Sequence, residues 1–167
     1  MNAQLTLKIA LIGAIGLTFF LLPLWGCEKK EVAEQEKIVS LTSIPKSSDY
    51  ASLPWVGTRW KLIGFADEKS KSIRLAIPFN DNSYTITFKE DGSISGYTST
   101  NAAGGKYYNE QTKVEITNFG PQTFINELKD GRSFIDAMNE VSAVNLTDQG
   151  LVLHYEKDKF LLFKIAE

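Results

Sequence analysis

Apolar and polar residues alternate through much of the C-terminal two-thirds of the chain, and this pattern predicts a sheet protein. Tyr84, Ile86 and Phe88 alternate with polar neighbours, which is the period of a half-buried strand. Glu-Asp-Gly at 90–92 predicts a tight turn, after which the chain returns over 93–97. Further short apolar runs lie at 60–64, 74–77, 114–116, 143–146, 151–155 and 160–165. Short strands with regularly spaced turns predict an antiparallel barrel or sandwich.

One stretch has the period of a helix instead. A single apolar stripe with spacing i, i+3, i+4, i+7 is formed by Phe134, Ala137, Met138 and Val141. Ser133 with Asp136 fits a capping box, and Asp130 is an alternative N-cap. Residues 124–128 predict a short preceding turn of helix that closes at Gly131. Because one face of a small sheet must be covered, we expect this helix to pack on the sheet.

The N-terminal residues have the pattern of a secretory signal. Lys8 precedes an uncharged run over 9–26, and the most apolar part of that run is 9–22. The alternative is an uncleaved membrane helix, but 18 uncharged residues are at the lower limit for spanning a bilayer.

The end of this run resembles the bacterial lipobox. Leu24 stands three residues before Cys27 and Gly26 directly before it, whereas Trp25 occupies a position that is commonly small. The resemblance implies cleavage before Cys27 and attachment of lipid, such as palmitate, to that residue, so membrane lipid is the expected partner. Residue 28 is Glu rather than the Asp that retains lipoproteins in the inner membrane, which favours the outer membrane. The charged residues at 28–31 also allow a surface-export signal.

The chain therefore divides into three predicted parts. Residues 1–26 are the signal peptide, 27–52 are the lipidated Cys and a flexible tether, and 53–167 are one folded module. The tether prediction rests on a composition of Glu, Lys, Gln and Ser with no apolar stripe. Within the module we expect Trp60 to be buried in the core, because it alternates inward with its strand.

Composition excludes several classes of function. Eighteen Lys and Arg against 20 Asp and Glu give a net charge of −2, so we expect no nucleic-acid partner. The single Cys excludes an intrachain disulfide, and one His with one Cys excludes the usual Cys/His zinc sites. His154 has no evident catalytic partner in the sequence. We therefore expect no catalytic residues, no metal and no cofactor.

The order of these elements resembles a known bacterial module. The residues that carry the resemblance are, in chain order, Trp60, the run 84–92, Ser95, Gly96, Asn101, Gly105, Tyr107, 114–116, Thr123, Phe134, Met138, 151–153 and 160–163. They are similar to those of the META domain, also called the HslJ-like domain, found in bacterial lipoproteins and secreted proteins. The resemblance implies a barrel-like antiparallel sheet with one packed helix and a link to heat-shock response and antibiotic tolerance. Thr100 stands where the family often has Cys, and no Cys follows Thr123, so any family disulfide is absent here.

Asn101, Gly105 and Tyr107 are the candidate site residues of the module. We expect them to be structural first. The Asn side chain bonds nearby backbone, Gly105 adopts a backbone conformation that other residues resist, and Tyr107 buries its ring while its hydroxyl reaches a partner. The alternative makes residues 99–108 an exposed recognition loop.

These observations predict a non-enzymatic, lipid-anchored lipoprotein of the cell envelope, with a further envelope protein as a candidate partner. Two alternatives remain. The first is an inhibitor-like module that blocks a lytic or proteolytic enzyme through residues 99–108. The second is a carrier that holds a small ligand inside the barrel.

Overall fold

The computed structural model describes residues 35–167. The predicted signal peptide, Cys27 and the start of the predicted tether lie outside the described residues. In chain order, the strands and the helix of the described part are β1 (Ile38–Ser40), β2 (Arg59–Asp67), β3 (Ser72–Leu75), β4 (Thr85–Phe88), β5 (Ser93–Tyr97), β6 (Ala102–Glu110), β7 (Lys113–Pro121), α1 (Gly131–Asn139), β8 (Ala143–Thr147), β9 (Gly150–Glu156) and β10 (Lys159–Ile165). Two short 3-10 turns at Leu41–Ser43 and Ser48–Ser52 connect β1 to β2.

The strands form one antiparallel sheet that closes into a ring where β4 pairs with β2. Their order is β1-β3-β2-β10-β9-β8-β7-β6-β5-β4, and β2 also pairs with β4, with Trp60 opposite Ile86. Strands β2 and β4 to β10 therefore make a ring, and β3 and β1 extend the sheet beyond it. The prediction of a mainly β fold with one packed helix is confirmed at the level of this ring-like antiparallel sheet. Strand β4 begins one residue later than the alternation predicts, since Tyr84 has a left-handed φ of 59°.

The interior of the ring is a packed apolar core. Trp60 has no exposed surface, as its alternation predicts. The helix contributes Phe134, whose ring lies edge-on to those of Tyr84 at 5.5 Å and Phe119 at 5.6 Å. All four residues of the predicted helical stripe are buried in this core, so the prediction that α1 packs on the sheet is confirmed.

A second apolar layer covers the outer face of the sheet where β2, β9 and β10 lie side by side. Its buried members are Ile44, Ala66, Ile73, Val152, Phe160 and Leu162, and the partly buried Val39 and Leu41 pack against them. Every residue of the run 160–163 is buried, because this part of β10 has core on both faces. A continuous apolar run is the pattern of a strand covered on both sides.

The prediction of a flexible tether up to residue 52 is wrong for residues 38–52. β1 pairs with β3, with Ile38 opposite Arg74, and Ile44 is buried in the second layer. The Gln149 side-chain amide donates to the Leu41 carbonyl at 2.7 Å, which ties the 3-10 turn to the start of β9. The described residues before 53 therefore belong to the same compact unit as the rest of the module. The physical reason is that the outer face of β9 and β10 is apolar and needs a cover.

The segment before the helix also differs from the sequence prediction. Residues 124–128 contain no helical turn, and all of them except the half-buried Glu127 are exposed. Asp130 does stand directly before α1, but its side chain makes no capping hydrogen bond. The predicted capping-box pair lies within the helix, where Asp136 instead forms an exposed ion pair with Arg132 at 3.3 Å.

Candidate functional site

The connection from β5 to β6 is a buried polar turn. Thr98, Ser99 and Asn101 have at most 1% of their surface exposed, and β6 begins directly after them at Ala102. The alternative of a recognition loop at 99–108 does not fit its first residues, because Ser99 and Asn101 are buried. Strand pairing with β5 and β7 occupies most of this segment, and its first residues face inward.

A carboxylate stands at the centre of this turn. Glu127 accepts hydrogen bonds from the hydroxyls of Thr98 and Ser99, each at 2.6 Å, and from Asn101 Nδ2 at 2.6 Å. The backbone N–H of Ser99 donates to the same carboxylate at 3.2 Å. We call Thr98, Ser99, Asn101, Thr123 and Glu127 the Glu127 network. Charge-assisted hydrogen bonds of this kind are stronger than neutral ones, so the network holds together two segments that are distant in the chain.

The Asn101 amide pairs with the backbone of a single residue. Its Oδ1 accepts from the N–H of Ile125 at 3.0 Å, and its Nδ2 donates to the carbonyl of Ile125 at 2.7 Å. The hydroxyl of Thr123 also donates to Oδ1, at 2.5 Å. Asn101 thus holds Ile125 as a neighbouring strand would, and such backbone contacts are those expected of a structural residue.

The segment held in this way presents apolar side chains to solvent. We call residues 122–128 the 122–128 loop. Phe124 is fully exposed at 107%, and Ile125 and Leu128 are exposed at 60% and 43%. Further hydrogen bonds fix the ends of the loop: the Gln122 N–H donates to the Ala102 carbonyl, and the Leu128 N–H donates to Ser99 Oγ at 2.9 Å. The apolar side chains of the loop are therefore exposed, whereas its backbone is held to the module by hydrogen bonds.

A second polar cluster lies where the loop meets the helix. The carboxylate of Asp130 forms an ion pair with Arg74 at 2.6 Å and accepts the backbone N–H of Ile77 at 2.8 Å. The Asp130 N–H donates to the Tyr84 hydroxyl at 3.0 Å, and that hydroxyl donates to the Ile77 carbonyl. Burial raises the pKa of Tyr84, so the hydroxyl stays protonated and remains a donor. The guanidinium of Arg74 also lies 4.4 Å from the centre of the Phe65 ring.

The other two candidate residues of the module lie along β6, away from the network. Gly105 does not have the special backbone conformation expected for it. A Cβ at this position would lie 2.9 Å from the Cα of Phe119, so Gly is required there by the close approach of β7. Tyr107 is buried with its ring edge-on to Phe88 at 5.1 Å, and its hydroxyl donates to the Lys89 carbonyl at 2.7 Å. Both residues pack within the sheet, and the restriction to Gly at position 105 comes from the close approach of β7 rather than from a special backbone conformation.

Sequence reasoning found Asn101 but missed Glu127 and its hydroxyl partners. The run Thr-Ser-Thr-Asn at 98–101 is an uninterrupted polar stretch between two strand patterns. Such a stretch is a typical surface turn, and only the fold shows that it is buried. Leu24, Gly26 and Cys27 lie outside the described residues, so the lipid attachment remains a prediction.

The part of the chain from residue 35 onward has no evident metal site. No group of three or more His, Cys, Asp or Glu side chains in residues 35–167 is placed to hold a metal ion. Every buried side-chain nitrogen and oxygen there has a hydrogen-bond partner. The helix of this part is too short and too polar to cross a membrane.

The Glu127 network predicts a loss of stability in acid. Burial raises the pKa of Glu127, but the hydrogen bonds from Ser99, Thr98 and Asn101 outweigh burial and hold it below its ordinary value of 4.5. A carboxyl whose pKa is lower in the folded state stabilises the fold above the unfolded pKa, and this contribution is lost as the pH falls through the folded pKa. We expect stability to decline below pH 4.5, and Glu127→Gln to weaken that decline.

Melting temperatures measured from pH 7 to pH 3 test this expectation. Glu115→Gln is a suitable control, because Glu115 is an exposed residue of β7. Identical pH profiles for the two variants would contradict a specific role of the Glu127 carboxylate.

Comparison with known proteins identifies similar folds only. No protein-family model matches the chain, and no curated protein matches it in sequence. The crystal structure of a DUF4847 family protein from Bacteroides vulgatus is similar, with a TM-score of 0.50 and 18% identity over 65% of this chain and 92% of that one. The NMR structure of a protein from Burkholderia xenovorans has a TM-score of 0.52 and 17% identity over 72% of this chain and 89% of that one. At these identities the likeness shows a shared fold and carries no function.

Proposed function

We propose that the chain is a lipid-anchored lipoprotein of the bacterial cell envelope, held at the outer membrane through Cys27. It carries a META-like, barrel-like module that acts by binding or structural support rather than by catalysis. The observation that carries the proposal is the sequence around Cys27: Leu24 and Gly26 occupy lipobox positions, and Cys27 is the chain's single Cys. Strand β1 begins at Ile38, only 11 residues after this Cys.

Contacts within the module support the META-like part of the proposal. Asn101 and Thr123, two of the residues that carry the resemblance, are hydrogen-bonded to each other. The two positions at which the family often has Cys lie on the segments joined by the Glu127 network, and Thr100 donates to the Asn126 carbonyl at 3.0 Å. Hydrogen bonds here connect the segments that a disulfide would connect in other members.

Packing of the interior argues against the carrier alternative. Four core residues, Trp60, Ile86, Phe88 and Leu153, have no exposed surface and belong to one cluster. A groove of about 440 Å³ beside α1 is lined partly by charged residues such as Arg74 and Glu140, and by none of these four core residues. The inhibitor alternative loses its predicted loop, because residues 99–101 are largely buried and residues 102–108 belong to β6.

Substitution of Cys27 tests the proposal. In the Cys27→Ser variant we expect the protein to leave the membrane fraction or to accumulate as uncleaved precursor, because no thiol remains to receive lipid. Fractionation, immunoblotting and intact-mass measurement of the product report both outcomes. Trp25→Ala is the matched control, since it makes the lipobox more typical and leaves Cys27 in place. A Cys27→Ser protein that is still cut to mature length and still membrane-bound would refute lipidation as the anchor.

A further inference from the structure

We propose that the 122–128 loop rests on the bilayer that holds Cys27, with Phe124, Ile125 and Leu128 at the boundary between headgroups and acyl chains. This inference rests on the lipidation proposed above. Three exposed apolar side chains within five residues form a surface suited to the membrane interface, where aromatic and aliphatic side chains are buried a short distance into the lipid. The loop would thus orient a module that is anchored by its lipidated Cys.

Charge along the loop suits a lipid surface. Among residues 122–128, Glu127 is the only one with an ionisable side chain. Its carboxylate accepts hydrogen bonds from Thr98, Ser99 and Asn101 and is held on the inner side of the loop. The exposed face therefore presents apolar and neutral polar groups, and no carboxylate faces the anionic headgroups common in bacterial membranes.

Backbone groups of Ile125 and Leu128 in the loop are already hydrogen-bonded within the module. Polar backbone groups entering lipid must already be hydrogen-bonded. Asn101 satisfies both the N–H and the carbonyl of Ile125, and the Leu128 carbonyl accepts the N–H of Gly131 at 2.9 Å. A partner that binds an extended segment by adding a strand needs free backbone donors and acceptors. Those of Ile125 are occupied, which argues against strand addition at this residue.

The chain enters the fold beside the loop. Asp130, two residues after Leu128, is paired with Arg74 at 2.6 Å. Arg74 lies opposite Ile38 in the β1–β3 pair and 4.0 Å from the carboxylate of Glu36. Glu36 follows Cys27 by nine residues, a length of chain that spans at most about 30 Å when fully extended. The described part of the chain therefore begins near the Arg74–Asp130 pair, which follows the exposed loop.

Spin labelling of the mature lipoprotein tests this contact. Because lipid blocks Cys27, Phe124→Cys or Leu128→Cys supplies a single free thiol for a nitroxide. Tyr108→Cys is the matched control, since Tyr108 is 64% exposed and lies seven residues along β6 from Asn101, roughly 20 Å away. Each protein is reconstituted in phosphatidylethanolamine–phosphatidylglycerol vesicles, its lipidation is checked by intact mass and its fold by thermal melting. The nitroxide's collision rates with oxygen and with a nickel chelate are then compared.

We expect labels at 124 and 128 to collide several-fold less often with the nickel chelate than the label at 108, and more often with oxygen. Equal nickel collisions at all three positions in a lipidated protein would overturn the membrane contact and leave the anchor intact. An intact mass that shows unmodified Cys27 would overturn both the lipid anchor and the membrane contact. Labels at 124 and 128 that are shielded only in native membranes, and not in pure lipid vesicles, would identify a protein partner and overturn the inference.

Discussion

Trp60→Ala is expected to lower the free energy of unfolding by about 3–5 kcal/mol, a large share of the stability of a domain of this size. Trp60 lies where the ring closes, opposite Ile86 of β4 on one side and Ile165 of β10 on the other. Its indole N–H donates to the Trp55 carbonyl at 2.9 Å, and its side chain is fully buried. Truncation would leave a large cavity and an unpaired carbonyl at the junction of β2 and β4.

Urea unfolding, followed by far-UV circular dichroism, measures this loss as a shift in the midpoint. Tyr108→Ala removes a comparably large aromatic side chain that is 64% exposed, so its effect is expected within about 0.5 kcal/mol. If the two variants had equal midpoints, the closure of the ring at β2 and β4 would not depend on packing around Trp60.

Asn101→Ala is expected to lower the free energy of unfolding by about 3 kcal/mol or more, because several buried groups form hydrogen bonds with the side chain that is removed. The N–H and carbonyl of Ile125 and the hydroxyl of Thr123 would each lose their Asn101 partner. Glu127 would lose one of the donors that stabilise its charge. The 122–128 loop would also be released from the sheet, so the amide of Ile125 is expected to exchange faster with solvent.

Thermal melting and hydrogen exchange of the same variant measure the two effects. Asn126→Ala is the matched control, because the side chain of Asn126 is exposed. The hydrogen bond from Thr100 is accepted by the backbone carbonyl of Asn126, which the substitution retains. An unchanged melting temperature together with the loss of an envelope phenotype would assign Asn101 to recognition. That result would restore the inhibitor or recognition alternative.

The alternating and helical periods predicted most of the central elements because they report which face of a segment is apolar. Ile86 and Phe88 lie in β4, and Phe134 and Met138 face the core from α1, as their spacing indicates. The same reasoning failed at 124–128, where an apolar spacing suited to a helix belongs to an exposed loop. There, the hydrogen bonds of the Asn101 side chain, supplied from a distant turn, override the local preference.

The sequence by itself determined the class of fold and the burial of Trp60 and the helix, since each of these is recorded in a local pattern; the anchor at Cys27, read from a similar local pattern, stays a prediction. Only the tertiary structure decided that residues 38–44 cover the outer face of β9 and β10, because a short apolar run such as Ile38, Val39, Leu41 and Ile44 does not show which surface it will cover. It also decided the Glu127 network, whose Asn101 and Glu127 are 26 residues apart. Hydrogen bonds between distant polar side chains leave no periodic signal in the chain.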